Sequence, residues 1–144
     1  MALSESVVRD CYAPGPPSET YTAAASVAFY QGSIVAIDTA DGLLKLGAVS
    51  TTLKVLGVSA REYDTTGVAA EDRLIPVDHG TFGDFESATG GGDDIAENDI
   101  KKPCYVVDDD TVALTDGGAT RSLAGTIHGV TAEGRVIVQF EVVR

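Results

Sequence analysis

Two histidines, two cysteines and 22 acidic side chains are the groups in this chain of 144 residues that could take part in chemistry. Their spacing argues against each familiar reaction in turn. A zinc site would have to gather Cys11, His79, Cys104 and His128 from across the chain, with none of the short ligand intervals that mark structural zinc sites. The run Asp108-Asp109-Asp110, the pair Asp93-Asp94 and the pair Asn98-Asp99 lack the D-x-[DN]-x-[DN]-G order with which a loop converges its oxygens on Ca²⁺. Adjacent aspartates in an extended segment point to opposite faces, so the expectation at Asp108, Asp109 and Asp110 is a solvated turn, with a weak, opportunistic cation site as the alternative. No G-x-S-x-G elbow exists, because Gly57-Val58-Ser59-Ala60 runs on into Arg61; a triad gathered in space from distant positions is left open by sequence. Gly90-Gly91-Gly92 is followed by two aspartates that would repel a phosphate, and reads as an exposed loop. The expectation is a protein that is no enzyme, with no catalytic residue, no cofactor and no metal.

The elements that would position any site are short strands. Aromatics make up 6% with no Trp and Gly occurs 16 times, while Val, Ala and Thr are plentiful, which favours strands and tight turns over helices. The expected fold is all-β, a small β-barrel or sandwich of short antiparallel strands with an extended N-terminal arm. A net charge of −12 with basic residues scattered singly, apart from Lys101-Lys102, argues against nucleic acid as a partner, since binding a duplex needs clustered Lys and Arg. Glu5, Arg9 and Asp10 interrupt any signal-peptide apolar stretch, and no apolar run approaches the ~20 residues of a membrane span. No membrane partner is expected, and synthesis in the cytoplasm is. In a reducing compartment Cys11 and Cys104 read as two small buried hydrophobes rather than a disulfide.

Residues 1–26 differ from the rest. Pro14, Pro16 and Pro17 surround Gly15, and neither a local helix nor a paired strand is expected there. Leu3, Val7, Val8, Tyr12 and Tyr21 are too sparse for a core and too many for an inert linker, so the arm is expected to dock on a partner and to order as it does so. Residues 27–144 form the body. Candidate strands fall at 27–30, 33–38 and 43–46, the last two joined by the hairpin signal Asp41-Gly42, then at 55–61, 73–77 and 81–86. Pro76 places 73–77 at an edge or a bulge. A helical turn fits 95–101, capped by Asp93 or Asp94 and ended by Pro103. Strands at 105–107 and 111–115 make a hairpin, and 124–130 pairs with 135–143. In the last strand Val136, Val138, Phe140 and Val142 point one way and Arg135, Ile137, Gln139 and Glu141 the other. Ile137 among polar neighbours suggests contact with another subunit.

Residues 102–127, Lys-Pro-Cys-Tyr-Val-Val-Asp-Asp leading through Thr111-Val112-Ala113 and Gly117-Gly118 to Arg121-Ser122-Leu123-Ala124-Gly125-Thr126, resemble a passage of the head decoration, or cement, proteins of tailed bacteriophages. The resemblance implies a structural protein of the virion, sitting on the outer surface of the capsid, often as a homotrimer, with the major capsid protein as its partner. On that basis Arg121 is expected either in an intra-loop ion pair or in a subunit contact with an acidic neighbour such as Asp109 or Asp116, and the arm is expected to reach across a seam between capsid subunits. The alternative reading is a surface-displayed carbohydrate-binding or adhesion module, for which five Tyr, four Phe and no Trp offer few aromatic platforms.

Overall fold

β-Branched runs cut at short intervals by Gly, Asp and Pro cannot extend far before a turn, and the described residues accordingly fold as short strands with two single 3-10 turns. The structure, a computed structural model, describes residues 2–140. In chain order the strands are β1 (Cys11–Pro14), β2 (Glu19–Thr22), β3 (Ala28–Phe29), β4 (Ile34–Asp38), β5 (Leu44–Leu46), β6 (Leu53–Ser59), β7 (Tyr63–Asp64), β8 (Leu74–Asp78), β9 (Gly80–Ser87), β10 (Pro103–Val106), β11 (Thr111–Ala113), β12 (Leu123–Val130) and β13 (Val136–Phe140). No helix among the described residues is long and apolar enough to cross a membrane.

The fold is all-β and contains closed sheet. Strands β9, β11, β10, β12 and β13 pair in that order and β13 returns to β9, with only β9 and β11 parallel. Closure removes the free edges that an open sheet would expose. A second sheet runs β2, β8, β6, β4, β5, antiparallel throughout. A bridge between Ala23 and Leu44, with the Ala24 N–H donating to the Leu44 carbonyl at 2.9 Å, brings the chain after β2 back against β5. Strands β3 and β7 form a separate ribbon.

Strand β4 shows why the two sheets stay together. Its sequence, Ile-Val-Ala-Ile-Asp, is apolar on both faces of the pleat, so it must be covered twice. Ile34 and Ala36 join Phe82, Phe85, Val106, Ile127 and Val138 in one core cluster, while Val35 and Ile37 pack with Phe29, Leu44, Ile75 and Val77 in another. Each well-buried aliphatic side chain contributes roughly 1.5–3 kcal/mol. In β13, Val136, Val138 and Phe140 enter the first cluster as the alternation predicts; Glu141 and Val142 lie outside the described residues.

Several local expectations are corrected. The first 26 residues do hold paired strands: β1 pairs with β9, β2 pairs with β8, and Ala23 is fully buried. Val7, Val8 and the prolines masked these strands because their partners lie some fifty to seventy positions away, where no local signal reaches. Strand β8 lies inside its sheet, between β2 and β6. Pro76 is tolerated there because it lies just past the β6–β8 pairs, which end at Ser59 and Val77, and its carbonyl accepts the Ala60 N–H at 3.0 Å beyond the end of β6, so its missing N–H interrupts neither of those pairs. The turn near residue 97 is a single 3-10 turn, Glu97–Asp99, and Asp99 Oδ2 accepts the Ala96 N–H, so the expected caps Asp93 and Asp94 are not used. Both cysteines are free; Cys104 is buried, and desolvation pushes its thiol up to about 12, whereas Cys11 is exposed rather than buried.

Candidate attachment surface

The N-terminal segment reaches the second core only near its end, at Tyr21 and Ala23, and before that runs as a strap along the body. Strand β1 lies against Gly80, Thr81 and Phe82, and β2 against Leu74, Ile75, Pro76 and Val77. The strap therefore follows a single stretch of chain from one sheet into the other. Between them Gly15 donates its N–H to the His79 carbonyl at 3.1 Å, and the Ser18 hydroxyl donates to Asp78 Oδ1.

Before β1 the strap is held by polar groups. The Leu3 N–H donates to Asp109 Oδ1 at 2.9 Å, the Val7 N–H to the Gln31 carbonyl at 3.0 Å, and the Gln31 N–H to Ser6 Oγ at 3.0 Å. Arg9 is the centre of the attachment. Its Nε donates to the Gly32 carbonyl at 3.0 Å, Nη1 to the Asp84 carbonyl at 2.5 Å and Nη2 to Asp110 Oδ1 at 2.6 Å, with the guanidinium 4.1 Å above the Phe85 ring centroid. A planar fork of donors over an aromatic face is the geometry a guanidinium fills and an ammonium does not. On its other side Asp84 is held by Arg135, whose Nε donates to Asp84 Oδ1 at 3.2 Å and Nη2 to the Asp84 carbonyl at 2.8 Å. Asp84 has φ 71°, a left-handed conformation inside β9 that a non-glycine residue adopts at a cost. It sits where β9 stops pairing with β1 and starts pairing with β11.

The acidic turn is thus the receptor of the strap, which corrects the solvated turn expected from its sequence. Asp109 and Asp110 are 3% and 6% exposed. Desolvation pushes the Asp109 carboxyl up from the ordinary range, against the opposing pull of the Leu3 N–H and the Ser33 hydroxyl. Among the described residues no group of three or more His, Cys, Asp or Glu is arranged to hold a metal ion.

Two glycines admit the strap. At Gly32 a Cβ would stand 2.6 Å from the Val7 carbonyl oxygen and 2.7 Å from its side chain. At Gly83 it would stand 2.6 Å from the Tyr12 ring, which lies over that bare backbone with its centroid 6.3 Å from that of His128.

Of the residues expected to form an interface, the structure separates two groups. Leu3, Val7 and Tyr21 are partly buried against the chain's own body, Tyr21 beside the second core cluster. Val8 and Tyr12 face outward, 84% and 48% exposed. Ile137 belongs to neither core cluster, as its place in the alternation implies, yet is only 9% exposed, so the wet face expected for it is covered. Arg121 makes neither an intra-loop pair nor a bond to Asp109 or Asp116, but an ion pair from its loop to Asp93 in another: Nη1 to Oδ1 at 3.0 Å and Nη2 to Oδ2 at 3.3 Å, with Thr115 supplying a carbonyl at 3.1 Å. That pair lowers the Asp93 carboxyl and ties the glycine loop at 90–92 to the turn after β11. Sequence reasoning missed Arg9 itself. Its signal was present: it is the only Lys or Arg before Lys45, in a strap whose receptor is a run of aspartates.

No protein family, curated protein or solved structure matches the chain.

Proposed function

We propose that this protein is a structural capsid decoration protein of a tailed bacteriophage, binding the outer surface of the head as a homotrimer and bracing neighbouring subunits of the major capsid protein. The observation that carries the reading is the outer edge of β1. That strand has one partner, β9, and all four of its residues are exposed. It carries no charged side chain, although charge is the usual device by which a natural edge avoids pairing with other chains. An uncharged edge of Cys-Tyr-Ala-Pro, with Pro14 and the register shift between Cys11 and Ala13 as its guards and with Val8 before it and Tyr12 within it facing outward, suits the addition of a short strand from a partner, where main-chain bonds give affinity and the two side chains give specificity. Closed, cross-braced sheets behind it supply the rigidity that a brace needs. The resemblance over residues 102–127 supports the same assignment. In this reading the protein is made in the bacterial cytoplasm and acts on the assembled virion, without catalysis, metal or cofactor.

The test is sedimentation of the purified protein with expanded heads of the phage that encodes it. Binding that saturates at a fixed ratio of copies to capsid subunits is expected, with Val8→Asp and Tyr12→Asp each weakening it at least tenfold. Failure to pellet with the heads at any concentration would overturn the assignment.

A further inference from the structure

We propose that residues 2–14 are an exchangeable strand, and that in the oligomer each copy lays this segment into the groove along β9 of a neighbouring copy. This deepens the trimer of the preceding section by stating what joins its members. The groove is a receptor for one sequence: it offers the Gly32 and Asp84 carbonyls, the Asp110 carboxylate and the Phe85 face to Arg9, Asp109 to the Leu3 amide, and bare backbone at Gly83 to the Tyr12 ring. None of those contacts depends on which copy supplies the strap. A second copy carries the one segment that reproduces all of them, with its cation meeting the same buried anion.

The chain has slack where a strap would have to leave. Cys11 to Thr22 lie opposite Leu74 to Phe82, so the strap carries three more residues than the strand it follows. One of the three is taken up by the register shift between Cys11 and Ala13, and two fall in Gly15, Pro16, Pro17 and Ser18, which join β1 to β2 and are held to Asp78 and His79 by one hydrogen bond each. Strand β2 must stay at home, because Tyr21 and Ala23 belong to the second core. Strand β1 has no such tie, with all four residues exposed. A strap that simply lifted off would leave β9 with an open edge and Asp110 without Arg9, so a departing strap requires a replacement. Exchange around a closed ring fills every groove, the condition under which swapping costs little. At about 3.3–3.6 Å per residue the connector spans on the order of 15 Å, which places the neighbour's groove beside the Asp78 to Gly80 corner.

The experiment uses the full chain and no capsid, so its outcome is independent of the decoration assignment. Two forms are co-expressed, both carrying Cys11→Ser, one with Ala13→Cys and the other with Thr81→Cys, a pair in register across β1 and β9. Mild oxidation is followed by mass spectrometry of linked peptides. A disulfide between positions 13 and 81 that joins the two forms is expected. The inference is overturned if the mixture gives no such link while the double variant in a single chain closes its own. Independently, Arg9→Ala should reduce the mass seen by light scattering to the 14.9 kDa of one chain. An oligomer whose mass is unchanged by Arg9→Ala counts equally against exchange.

Discussion

Arg9 and Asp110 stand 101 positions apart in the chain and 2.6 Å apart in space, with side chains only 3% and 9% exposed. Removing Arg9 leaves the buried Asp110 carboxylate only the 4.0 Å contact with Arg135 Nη2, and removing Asp110 leaves the Arg9 charge on the neutral Gly32 and Asp84 carbonyls, so either loss is costlier than the pair's own net worth. Arg9→Ala and Asp110→Ala are each expected to lower stability by about 3–5 kcal/mol. The double change Arg9→Met with Asp110→Leu should cost much less than the two single changes together. Urea unfolding of the four proteins checks this.

Gly83→Ala places a methyl group where the Tyr12 ring lies, 2.6 Å away, at a backbone position that any residue can adopt. Overpacking of this kind costs about 1–3 kcal/mol. Adding Tyr12→Ala removes the obstruction, so the double variant should be no less stable than Tyr12→Ala alone. Additive losses in a thermal-melting cycle would contradict the placement of the ring.

Asp109 predicts a slope in the pH profile. Its folded carboxyl is raised above the unfolded value of ~3.9, so between those two values the folded state binds more protons and stability falls as pH rises. Asp38 acts in the opposite sense. The Lys45 ammonium and the Ala40 N–H hold its carboxyl at about 2, so its contribution is present above ~3.9 and is lost as pH falls toward 2. Asp109→Asn keeps an acceptor for the Leu3 N–H and removes the buried charge. Melting temperatures from pH 4 to 7.5 should therefore decline less steeply in the variant than in the parent.

Truncation should respect the strap's two halves. Removal of residues 2–10 takes away Arg9 but leaves β2 and both core clusters, and the chain should still give a β-rich circular dichroism spectrum with a cooperative melt. Removal of residues 2–26 deletes β2, Tyr21 and Ala23 from the second sheet, and that cooperative melt should be lost.

Gly90, Gly91 and Gly92 all have positive φ, with open space around each. A short flexible insertion between Gly91 and Gly92 should be nearly neutral, since doubling a loop costs only about 0.6 kcal/mol. Asp93→Ala, one residue beyond, should lower the melting temperature more than the insertion does, because Arg121 loses its partner.

Local signals made most of the body legible. Asp41-Gly42 gave the β4–β5 hairpin because the turn residues and both strands are neighbours in the chain, and the alternation in β13 gave its inward face. Strands β1 and β2 were hidden because each is paired with a segment far along the sequence, and prolines within and beside them imitate a linker. Asp109 and Asp110 were misjudged for a related reason: their burial is created by Leu3, Arg9 and Ser33, none of them close in sequence. Of the five arm residues expected to dock on a partner, the structure leaves Val8 and Tyr12 exposed. Leu3 and Tyr21 have the same composition signal but meet the chain's own surface, which no pattern within the first 26 residues distinguishes.

The order in which the chain is made adds a consequence of the strap's long reach. Asp110 is made 101 positions after Arg9. At a synthesis rate of roughly 5–20 residues per second the strap waits on the order of 5–20 s before its receptor exists. Throughout that delay Leu3, Val7, Val8 and Tyr12 have no groove to meet. The strap is thus made long before it can be placed, and on every nascent chain its groove forms empty, open to whichever strap arrives first.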